Sequence, residues 1–171
     1  ADLSAEPSTR FVDIINQQVA PDKPVTSEQI YVGAMYLVSD QVNSFGGRFP
    51  VEEHQRIAEL LIDSPVLVGH RKDHLPIARN FHAELVDRDN QNWVKSYFYW
   101  LRSVDSADIL KANIEGGIYK ECSIAFTYNL PECSICGHDI RLCEHEPFST
   151  YPTAAGPAVC SRCLCAHLPT A

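Results

Sequence analysis

Residues 117–145 read GIYKECSIAFTYNLPECSICGHDIRLCEH, and this stretch decides how the chain is understood. Its first part, over 118–128, is rich in β-branched and aromatic residues and is expected to form a strand carrying Ser123 between apolar neighbours. Its second part concentrates metal-ligand residues. Cys133 and Cys136 form a C-x-x-C pair followed by Gly137, and six residues intervene between Cys136 and the Cys143-Glu-His145 group. Three thiolates and one imidazole close a tetrahedral shell around a zinc ion. Four protein donors leave no open position, so the expected role of Zn²⁺ is structural rather than catalytic.

Upstream, the pattern is that of an α+β domain. Apolar residues Phe11, Val12, Ile14, Ile15 and Val19 share one helical face over 9–19. Residues 29–38 read as a strand, and 51–63 as an amphipathic helix ended by Pro65. A short strand over 66–68 leads into Gly69 and His70. Two further strands, 77–86 and 94–102, flank a turn at residues 89–92 that does not look like the tightest hairpin type. A helix over 105–115, capped by Asp105 or Ser106, stops at Gly116-Gly117. The expected architecture is a mostly antiparallel β-barrel with flanking helices and a small zinc knuckle. The expected units are an N-terminal helix and linker (1–24), a barrel domain (25–130), the knuckle (131–147) and a flexible cysteine-bearing tail (148–171).

The totals narrow the function classes. A formal charge of −8 over 171 residues disfavours a nucleic-acid surface. No apolar run reaches the roughly 18 residues of a membrane span, and the first ten residues lack the basic-then-apolar order of a signal peptide. Seven cysteines, six of them beyond residue 132, fit metal binding in a reducing compartment better than a disulfide framework. Within the tail, Cys160, Cys163, Cys165 and His167 are a candidate second metal group, with free thiols as the alternative.

Two segments resemble the prohead (head-maturation) proteases of tailed phages. In PVLVGHRKDHLPIAR, residues 65–79, an apolar strand ends in a histidine and a proline-containing turn follows. In SADILKANIEGGIYKECSIAF, residues 106–126, a helix passes through glycine into a strand with a Ser-Ile pair. The order and separation of the two segments add to the likeness, which covers about residues 29–128. The resemblance implies the twisted barrel shared with herpesvirus assembly proteases, with Ser123 as nucleophile and His70 as general base. It further implies cleavage of capsid and scaffold segments, and of the chain itself, inside an immature phage head in the bacterial cytoplasm, with oligomer contacts as a restraint. Ala125 and Ala78 stand where the family has glycine. No convincing third catalytic member follows the serine, with Glu144, Glu146 and His138 as candidates. His74 rivals His70, and Cys122 is the alternative nucleophile. A non-catalytic capsid-assembly or scaffold protein with the same fold is the alternative function.

Overall fold

The computed structural model describes residues 7–69, 73–127 and 130–165. The first helix, α1 (Thr9–Gln18), starts where the Ser8 side chain accepts the Phe11 N–H, satisfying one of the free donors of the first turn. β1 (Ile30–Ser39) follows a single 3₁₀ turn. After the two-residue β2 (Gly47–Arg48) comes α2 (Val51–Leu61), whose Glu52 and Glu53 lie in the first turn and favour the positive end of the helix dipole. β3 (Pro65–Val66) is shorter than the sequence suggests. β4 (Ala78–Arg88) and β5 (Gln91–Leu101) form a long hairpin.

That hairpin is closed by two residues, not four. Asp89 and Asn90 both adopt positive φ, 56° and 58°, and Arg88 pairs with Gln91. This is the tight turn whose twist matches the strands, and Asp and Asn tolerate its left-handed backbone better than most residues.

The main sheet runs β1-β5-β4-β3, antiparallel throughout. One face carries Ile30, Val32, Ala34, Phe81 and Tyr97, covered by Phe11 and Ile15 of α1. The other face carries Val38 and Val94, which pack with Ile57, Ala58 and Leu61 of α2. It also carries Met35, Phe98 and Trp100, which pack beside α3 (Ala107–Glu115). Irregular register at Tyr36/Val38 and at Asn80/His82 shifts the alternation. Val38 thereby joins Val94 under α2, and Phe81 and His82 both lie on the Tyr97 side.

The closed barrel expected from the sequence is not formed. The sheet is curled but open, because β3 offers only two residues at one edge and the strand expected over 118–128 is missing. Described residues 118–127 have no regular secondary structure. Side chains hold them instead: Ile124 and Phe126 pack on the cluster under α2, and the Cys122 thiol donates to the Tyr36 carbonyl at 3.2 Å.

The C-terminal region is also more ordered than a tail. β6 (Leu130–Cys133), β7 (Thr150–Thr153), β8 (Gly156–Val159) and β9 (Arg162–Cys165) build two small sheets, β2-β9-β6 and β7-β8. Cys160, Cys163 and Leu164 are buried, and this burial is what orders a segment whose Ala-Gly-Pro composition reads as linker. Leu164 reaches the cluster under α2. Among the described residues, no helix is long and apolar enough to cross a membrane.

Candidate functional site

Ser123 is exposed in the wall of a cleft of about 890 Å³. The parity of its segment explains the orientation. Ile124 and Phe126 are half-buried against the cluster under α2, Ser123, Ala125 and Thr127 are exposed, and Cys122, though an exposed residue, directs its thiol to the Tyr36 carbonyl. Met35, Leu61, Phe98 and Leu110 help make the opposing wall apolar. Asn80 and Ser64 of the cleft lining belong to a polar network. Ser96 donates to Asn80 Oδ1 at 2.7 Å, and the Asn80 amide donates to Ser64 Oγ at 2.9 Å, so a buried carboxamide is satisfied at both ends. No signal in the sequence marked this network.

Val68 and Gly69 line the same cleft as Ser123. Gly69 has φ +61° with open space around its missing Cβ, so the backbone turns sharply just before His70. His70 itself lies outside the described residues. His74 is solvent-exposed, with Nε2 3.8 Å from the Asp73 carboxylate. Among the described residues Ser123 makes no hydrogen bond. The candidates for a third catalytic member, Glu144, Glu146 and His138, are exposed residues of the cysteine-rich region, and none of them lines the cleft. Cys122 is a poor rival to Ser123, because burial of its sulfur pushes the thiol upward and the sulfur is engaged with Tyr36.

The cysteine-rich region does assemble. Donor atoms of Cys133, Cys136, Cys143 and His145 lie within 4.8 Å of one another and could hold a metal ion. Cys133 ends β6, where its amide donates to the His138 carbonyl at 2.8 Å. Its carbonyl accepts the Gly137 N–H at 2.8 Å, and its sulfur accepts the Ile135 N–H at 3.4 Å. Gly137 supplies the positive φ, +72°, that this turn requires. His145 Nδ1 stands 3.6 Å from Cys133 Sγ, close to the edge of about 3.6 Å that tetrahedral zinc bonds to sulfur and nitrogen define. The His145 ring meets Tyr151 edge-on at 4.4 Å, which fixes its plane.

The thiols are electrostatically unequal. Burial would raise Cys133, but the amides of Cys136 and Ile135 and the thiols of Cys136 and Cys160 outweigh it and hold it at about 6. Cys160 is pushed to about 11 by burial and by its proximity to Cys133. Cys160 Sγ lies 3.8 Å from Cys133 Sγ, so it stands beside the first cysteine group. Among the described residues Cys160 and Cys163 join no second group of metal donors, and the His167 expected to complete one lies outside the described residues, as does the Cys165 side chain.

No family model, curated protein or solved structure matches the chain.

Proposed function

We propose that this protein is a serine peptidase in which Ser123 attacks a peptide carbonyl and His70 takes its proton. The observation that carries this reading is the shared cleft: Ser123 and the residues that lead directly into His70 line one apolar depression. An apolar wall suits an extended peptide, and an exposed serine beside it suits acyl transfer. Attack moves the Ser123 proton to the His70 imidazole, which returns it to the leaving amine. Water then releases the acyl group by the same relay in reverse. The likeness to prohead proteases supplies the substrate class, capsid and scaffold segments together with the chain's own termini. The Cys133, Cys136, Cys143 and His145 group is a structural zinc centre that fastens the C-terminal sheets.

A fluorophosphonate probe tests the nucleophile. Labelling of the parent chain at Ser123, abolished in Ser123→Ala and weakened in His70→Ala, is the expected result. An unlabelled parent that also stays intact beside capsid and scaffold proteins overturns it. One feature favours the second reading, a non-catalytic assembly module: Ser123 has no hydrogen-bonding partner among the described residues. In that reading Ser123→Ala leaves every property of the protein unchanged.

A further inference from the structure

Tetrahedral zinc takes four donors, and a fifth candidate, Cys160, stands beside one member of the four-residue group. Cys160 Sγ lies 3.8 Å from Cys133 Sγ, and Cys160 is fully buried. Metal–sulfur bonds of about 2.3 Å in a tetrahedral shell place neighbouring sulfurs about 3.8 Å apart. The spacing of these two thiols is therefore already that of two ligands on one ion.

The backbone holds Cys160 there. Its amide donates to Ser149 at 2.8 Å and its carbonyl accepts the Phe148 N–H at 2.9 Å. The next residue is tied to the first knuckle from both sides: Ser134 N–H donates to the Ser161 carbonyl at 3.0 Å, and Ser161 N–H donates to Ser134 Oγ at 2.8 Å. These bonds hold the Cys160 thiol beside Cys133. The only nitrogen in the four-donor group, His145, is half-buried and is positioned through an aromatic contact with Tyr151.

We infer that Cys160 is a fifth donor to this centre, placed to take the fourth coordination position when His145 leaves it. In the exchange the metal–nitrogen bond breaks, a metal–sulfur bond forms, and the thiol proton passes to the freed imidazole. The donor set changes from three sulfurs and a nitrogen to four sulfurs, a softer shell. This inference rests on the metal reading of the four-residue group.

Anaerobic titration of the full chain with Co²⁺ tests it, using the parent, His145→Gln, Cys160→Ser and the double variant. The parent and Cys160→Ser bind one ion with three thiolates. His145→Gln still binds one ion, and its sulfur-to-metal charge-transfer band rises by about a third as a fourth thiolate enters. The double variant binds at least about tenfold more weakly than the product of the two single losses. Zinc X-ray absorption on His145→Gln, which leaves Cys160 untouched, reads four sulfur neighbours. If His145→Gln binds no better than the double variant, or shows only three sulfurs, the inference falls while the metal centre stands. A charge-transfer loss in Cys160→Ser alone also overturns the standby role. A parent that binds no Co²⁺ or Zn²⁺ overturns the metal reading and the inference together.

Discussion

Phe126 meets Phe49 edge-on, with ring centroids 4.9 Å apart and planes at 65°. Through this pair the segment bearing Ser123 is fastened to the start of α2, because no strand ladder holds it. Edge-to-face aromatic pairs contribute about 0.5–1.5 kcal/mol beyond their buried area. Phe126→Ala is expected to destabilise the protein by about 1–3 kcal/mol and to speed hydrogen exchange across 118–127. Fluorophosphonate labelling of Ser123 should fall with it, and Phe126→Leu should recover part of both losses.

Removal of the metal should loosen β6 to β9 and leave the main sheet folded. Cys133 and Cys160 form one buried cluster with Ile140, and that cluster is separate from those around the main sheet. A chelator, or Cys136→Ser, is expected to lower the melting temperature and expose Cys143 and Cys160 to thiol reagents. Structural zinc couples binding to folding, so the parent should contain about one zinc per chain and resist the same reagents.

At the cleft floor, Asn80→Ala would leave the buried Ser96 hydroxyl without its 2.7 Å acceptor. The expected cost is about 1–3 kcal/mol by denaturant unfolding. Pairing it with Ser96→Ala should cost less than the sum of the two single changes, because the double variant leaves no orphaned hydroxyl.

Asn90 has φ +58° in the β4–β5 turn. Asn90→Gly should therefore be neutral or slightly stabilising, and Asn90→Val should cost about 1–2 kcal/mol. Thermal melts of the two variants measure the difference.

His82 sits against Tyr97, with ring centroids 5.6 Å apart. Burial lowers its proton affinity, Glu84 partly opposes this, and Arg10 adds to it. Because the folded value is below 6.5, the unfolded chain takes up this proton first as pH falls. His82 should thus contribute a loss of stability that begins near 6.5 and levels off below its folded midpoint. An NMR titration should place that midpoint under 6.5, and His82→Gln should flatten the corresponding part of the stability curve.

The elements that were legible in advance are those with strong local periodicity. Ile57, Leu60 and Leu61 announce an apolar side of α2, of which Ile57 and Leu61 are buried and Leu60 is exposed, and the aromatic and β-branched runs announce β1, β4 and β5. The segment 118–127 misled for a physical reason. Alternation of Cys122, Ile124 and Phe126 signals an extended chain buried on one side, and carries no information about a ladder partner. The candidate metal group was readable because its four donor residues lie within thirteen consecutive residues. Cys160 was not, because its approach to Cys133 depends on the β6–β9 pairing, a contact between distant parts of the chain. The Ala-Gly-Pro run before it read as linker although it forms the β7–β8 hairpin.

β9 is the middle strand of its sheet, parallel to β2 on one side and antiparallel to β6 on the other. It is also the last of the three to leave the ribosome. β2, synthesised beside Phe49 and α2, has no ladder partner until Arg162 and Cys163 emerge. The Leu164 side chain arrives at the core under α2 at the same late moment. During synthesis, then, the cluster on which Phe126 anchors the serine segment stays incomplete until β9 docks, so the finished cleft is timed by the last of the described strands to be made.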